Sequence, residues 1–79
     1  MWFVYILQCK DNSLYTGYTN NVEKRFEIHK LGKGGKYTRS HKPVKIVYIE
    51  KFQTKLDALK REREIKSWSR VEKLKLVYD

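Results

Sequence analysis

Apolar positions run unbroken through "WFVYILQ" at 2–8, a stretch rich in β-branched and aromatic side chains, as a buried strand is. "KDNS" (10–13) carries turn chemistry, and "LYTGYT" (14–19) is short, aromatic and threonine-rich, so the two runs predict a β-hairpin. Gly17 interrupts the second run, which marks a bulge or a close approach to the backbone. "NNVEKRFEIHKLG" (20–32) has helical spacing, with Asn20 and Glu23 as the capping pair and Gly32 as the stop. "GKGGKYTRSHKPVK" (32–45) holds three glycines and the only proline and is predicted as a loop, followed by a third strand in "KIVYIEKF" (45–52). Thr54 with Asp57 opens a helix over 55–67, and Ser69 with Glu72 repeats the device for a closing helix over 69–77. The expected fold is α+β in the order ββαβαα: a small antiparallel three-stranded sheet with helices packed against it, one domain over 1–79.

Charge narrows the partners. Eighteen Lys and Arg stand against nine Asp and Glu, a formal charge of +9. Such an excess favours nucleic acid, with an anionic membrane surface or an acidic protein as the plainer alternatives. Cys9 is the only cysteine, which excludes an intramolecular disulfide and a four-cysteine zinc module and fits a reducing compartment. "MWFVYILQC" lacks the basic start and the small residue of a lipoprotein signal, and no run approaches the ~20 apolar residues of a membrane span. A soluble, cytoplasmic protein is expected.

Candidate chemistry lies on the helices and in the loop. At 100° per residue Ala58, Leu59, Glu62, Ile65 and Ser69 fall on one stripe, so Glu62 sits in the most apolar face of its helix. A carboxylate there needs a metal, a core-facing arginine or a proton, unless the stripe edges onto solvent. Val22, Phe26 and His29 share a face of the earlier helix, flanked by Arg25 one turn before the histidine. Arginine suits phosphate geometry and histidine moves protons near neutral pH, although a solvated helix charge and a core histidine are the ordinary explanations. No acidic residue occurs between Glu27 and Glu50, whereas Lys30, Lys33, Lys36, Arg39, Lys42 and Lys45 do, with Tyr37 and His41 interleaved. That pattern suits a phosphate backbone with base stacking, against a loop merely kept soluble by charge. "GKGGK" is not a P-loop, since the spacing fails and no Lys-Ser/Thr pair opens a helix. Tyr5 and Tyr15 share a pocket only if the hairpin register allows it; singly, each reads as a core aromatic.

The combination resembles the GIY-YIG nucleases. "VYI" at 4–6 and "YTG" at 15–17 look like the two halves of that family's signature, followed by Arg25, His29 and the Glu62 of "ALKRE". Ten residues separate the tyrosines, ten more lead to the arginine and four to the histidine, and the likeness spans nearly the whole chain. It is similar to the small GIY-YIG proteins related to the nuclease domain of bacterial UvrC. The resemblance implies a DNA phosphodiesterase dependent on a single Mg²⁺ or Mn²⁺ held by Glu62. Arg25 would bind the scissile phosphate, Tyr5 or Tyr15 would activate water, and His29 would orient water or phosphate. The chain departs from the pattern in reading Phe3-Val4-Tyr5 rather than Gly-Ile-Tyr in the first half, Thr16 for isoleucine or valine, and Tyr18 where lysine is frequent, which opens the question of how the base is activated. Tyr18, Lys30, Lys33, Lys36, Tyr37, Arg39, His41 and Lys42 are the expected nucleic-acid contacts.

A non-catalytic basic module on the same scaffold and an adaptor for an acidic protein are the competing expectations. Separate DNA-recognition domains are absent from the sequence, so targeting falls to branched or single-stranded DNA shape, to a protein partner or to a homodimer.

Overall fold

A computed structural model describes residues 1–78; Asp79, the last residue of the expected domain, lies outside the described residues. Strands β1 (Trp2–Cys9) and β2 (Leu14–Thr19) are joined by the four residues 10–13. The Asn12 amide donates to the Cys9 carbonyl and the Cys9 amide to the Ser13 carbonyl, both at 2.9 Å. Asn12 takes the left-handed conformation (φ 69°) that closes such a loop and that asparagine tolerates. The Asp11 carboxylate accepts from the Ser13 amide at 3.1 Å and its hydroxyl at 2.6 Å. This turn sets the register: Tyr5 lies opposite Gly17 and Leu7 opposite Tyr15. Side chains alternate faces along a strand, so Tyr5 and Tyr15 share one face of the sheet.

Strand β3 (Pro43–Phe52) pairs antiparallel with the other side of β1, giving the order β2-β1-β3. It starts two residues earlier than the sequence pattern predicts, on Pro43, where a strand can begin without losing a ladder donor. Central β1 is buried from Val4 to Leu7. Val4 and Ile6 pack on Ala58 and Ile65 of α3 (Lys55–Lys66), with Leu76 and Val77 of α4 (Arg70–Tyr78) against them. On the opposite face Tyr5 and Leu7 pack on Val22 and Phe26 of α1 (Val22–Lys30).

The α+β order appears as expected, with one addition: a short helix α2 (Lys36–Ser40) inside the segment predicted as loop. Its one buried residue is Thr38. The cap of α1 is Asn21 rather than Asn20. Thr19 Oγ1 accepts the Asn21 amide at 3.2 Å, and that local turn delivers the Asn21 side chain to the Lys24 amide at 3.1 Å. Gly32 ends α1 as predicted, at φ 77°, with its own amide bonded to the His29 carbonyl and that of Lys33 to the Ile28 carbonyl. Thr54 caps α3, while Ser69 and Glu72 cap each other's amides ahead of α4. Among the described residues no helix is long and apolar enough to cross a membrane.

Candidate active site

Tyr5 leans across its cross-strand partner, Gly17. A Cβ at that position would sit 2.6 Å from Tyr5 Cζ, so any side chain there would displace the phenol. Of the two expectations for Gly17, a bulge or a close approach, the close approach is the one that occurs. The phenol is buried, and its oxygen lies 2.9 Å from Nε2 of His29. Burial, then the neighbouring Tyr15, push the Tyr5 hydroxyl up to about 12; Arg25 beside it works the other way, and the Glu62 carboxylate adds to the rise.

His29 is wholly buried on α1, and its second ring nitrogen, Nδ1, is 2.7 Å from Oγ1 of Thr38. Burial and, secondarily, the Arg25 charge lower its pKa to about 4, so the imidazole is neutral at neutral pH. The backbone of the glycine-rich segment presses on this ring: a Cβ at Gly34 would fall 2.6 Å from His29 Cε1. The Gly34 carbonyl accepts a hydrogen bond from Nη2 of Arg25 at 3.1 Å, tying the half-buried guanidinium to that segment.

Glu62 is 7% exposed on α3, between the fully buried Ala58 and Ile65. Among the described residues its one ion-pair partner is Lys66, a turn later, with Nζ 3.4 Å from Oε2. No arginine neutralises it. The Lys66 ammonium also lies 6.0 Å from the centre of the Tyr15 ring. Tyr15 meets the His29 ring edge-on, with centroids 5.0 Å apart, and stacks with Tyr37 at 5.7 Å. Tyr37 in turn stacks with His41 at 4.3 Å, and His41 Nδ1 is 2.7 Å from Oδ2 of Asp11.

The fold therefore gathers Tyr5, Tyr15, Arg25 and His29 on one sheet face beside the glycine-rich segment, while Glu62 comes from α3 on the other face and is linked to this cluster through Lys66, which lies over the Tyr15 ring, and through its charge, which raises the Tyr5 hydroxyl. The expected nucleic-acid contacts divide. Lys30, Lys33, Lys36, Arg39 and Lys42 are exposed. Tyr37 stacks with both Tyr15 and His41 and remains 38% exposed. Tyr18 is set apart: it shares the opposite sheet face with Val4 and Ile6 and packs against Trp2 at 6.2 Å. Sequence reasoning missed Thr38 and Lys66. Threonine in a basic loop looks like filler, but the i, i+4 spacing of Lys66 from Glu62 was legible.

Among the described residues no group of three or more His, Cys, Asp or Glu side chains converges on a metal position. Both nitrogens of His29 have partners, which leaves Glu62 as the one donor. A single carboxylate suits a hard ion that takes its remaining ligands from water and from a phosphate.

Comparison with known proteins agrees with this arrangement. The model of the GIY-YIG catalytic domain matches residues 1–75. A UPF0213 protein from Staphylococcus haemolyticus is 57% identical over 75 residues, covering 95% of this chain and 92% of the relative. One from the archaeon Natronomonas pharaonis is 53% identical over 77 residues, covering 98% and 91%. The solution NMR structure of the UPF0213 protein BH0048 from Bacillus halodurans superposes with a TM-score of 0.62 at 47% identity, covering 98% of this chain and 83% of that one. The paired tyrosines, the arginine, the histidine and the helical glutamate thus stand in a domain match that takes in nearly the whole chain, and the chain belongs to the GIY-YIG family.

Proposed function

We propose that this protein is a divalent-metal-dependent endonuclease that hydrolyses DNA phosphodiester bonds. The observation that carries the reading is Glu62: a nearly buried carboxylate in an apolar stripe, with Lys66 at the surface as its one ion-pair partner among the described residues. A module that merely bound phosphate would gain nothing from an acid facing it, because like charges repel.

Glu62 would hold one Mg²⁺ or Mn²⁺ together with water and phosphate oxygens, and the ion when bound would stabilise charge on the departing 3′-oxygen. Arg25 commits one N–H to Gly34 and keeps the others for the non-bridging oxygens of the scissile phosphate, where charge accumulates. Tyr5, held by His29 and close to Arg25, is the better placed of the two phenols to take the proton from the attacking water. Its high pKa means that substrate and ion must favour the phenolate. Tyr15 closes the pocket from the side, between the His29 ring and Tyr37. The exposed Lys30, Lys33, Lys36, Arg39 and Lys42 would follow the backbone of the strand.

Labelled duplex, flap, junction and single-stranded DNA, assayed with Mg²⁺, with Mn²⁺ and with chelator, test this reading. We expect metal-dependent cleavage of at least one form, abolished in Glu62→Ala and Arg25→Ala while most salt-sensitive DNA affinity persists. Binding without cleavage of any form by the wild type would replace this reading with that of a non-catalytic module.

A further inference from the structure

We propose that Lys66 and a divalent ion compete for the Glu62 carboxylate, so that an ion binds there only as the Lys66 ammonium swings aside toward Tyr15. The inference rests on the reading of Glu62 as the metal ligand and adds to it the residue that sets how tightly the ion is held.

Along its own helix Glu62 opens to water in one direction. Of its four neighbours a turn away, Ala58 and Ile65 are buried, Leu59 is half-buried and Lys66 alone is exposed. The Glu62 side chain is 9% exposed against 49% for Lys66, and Lys66 Nζ stands 3.4 Å from Oε2. Glutamate four residues before lysine is the favoured order of such a pair, so the helix itself brings the ammonium to this position. There it offsets part of the charge that burial leaves on the carboxylate.

A divalent ion on the same carboxylate would lie within a few ångströms of that ammonium. A double charge repels a single one twice as strongly as two unit charges repel each other, and protein that excludes water screens the repulsion least. Lys66 has somewhere else to go. Its Nζ is already 6.0 Å from the centre of the Tyr15 ring, whose face attracts a cation at that range, and its flexible stem can carry the charge out to water. A short swing of one side chain therefore exchanges the two cations, while Ala58 and Ile65 stay packed on β1. A lysine that only offset the burial of Glu62 would have no such effect on an ion.

Mn²⁺ titrations of the full chain without DNA, read from the EPR signal of free Mn²⁺, test the competition. Lys66→Met keeps the stem and removes the charge, and it should bind Mn²⁺ about three- to fivefold more tightly than the wild type, the scale of one partly exposed ion pair. Lys60→Met makes the same change of net charge at an exposed position of α3 and should leave the affinity within about twofold. Glu62→Gln should abolish binding. In the wild type the NMR signals of Lys66 Cε and Glu62 Cδ should move together as Mg²⁺ is added. An affinity unchanged or weaker in Lys66→Met, an equal gain in Lys60→Met, or a Lys66 signal that stays still while that of Glu62 moves overturns the competition and leaves Glu62 as the metal ligand. Mn²⁺ binding that survives Glu62→Gln, or that no form of the protein shows, removes the metal reading, and the competition falls with it.

Discussion

Wholly buried and beside Arg25, His29 resists a second proton because the charged ring would lose its hydration and meet a like charge. Its pKa of about 4 lies below the ordinary 6.5, which fixes a sign. Above pH 6.5 the ring is neutral in both folded and unfolded chains, and the stability is intact. As the pH falls from 6.5 to 4 the unfolded chain gains a proton that the folded chain refuses, so stability drops, and below 4 the loss is complete. The total is on the order of 3 kcal/mol. Urea midpoints across this window should fall for the wild type and flatten in His29→Gln; an equal slope in both would assign the acid sensitivity to other groups. Residue type and spacing were enough to single out Tyr5, Arg25, His29 and Glu62 as candidates. The shared face of the two tyrosines was not legible, because it depends on Asn12 adopting φ 69° and closing the β1–β2 turn. Nor was the contact of Thr38, a residue nine positions from His29 that reaches it only because Gly34 lets the chain fold back against the ring.

Helix α3 serves stability at most positions and, in the proposed reading, chemistry at one. Ala58 and Ile65 are wholly buried against β1, and Glu62 lies between them at a cost that Lys66 offsets only from the surface. Glu62→Leu should therefore fold at least as stably as the wild type while losing all metal-dependent cleavage. Thermal unfolding together with the cleavage assay checks this, and a loss above about 2 kcal/mol would make the carboxylate a structural group. Strands β1 and β2 and helices α1, α3 and α4 were readable because their apolar periods and caps agree. Helix α2 was not: five residues cannot show a period, and glycines on one side with a proline close on the other read as loop. The N-cap of α1 fell one residue off for a similar reason. Asn20 and Asn21 are equivalent in type, and only the Thr19 hydroxyl chooses between them.

Over the whole molecule the formal charge of +9 is concentrated near the site by the exposed lysines and arginine of the segment after α1. Backbone contact of this kind releases counterions. Lys36→Gln with Arg39→Gln should weaken binding to all DNA forms alike and reduce the salt slope by about 1 to 2, read from affinity against salt concentration. An unchanged slope would move the contact surface elsewhere. The same segment is fastened to the site three times: Gly34 to Arg25, Thr38 to His29, and His41 to Asp11 of the β1–β2 turn. In many proteins a charged surface loop can be trimmed or exchanged with little harm to the chemistry below it. Here the basic stretch is bonded to Arg25 and His29 themselves, so a change that retuned its hold on a polyanion would also re-aim those two side chains.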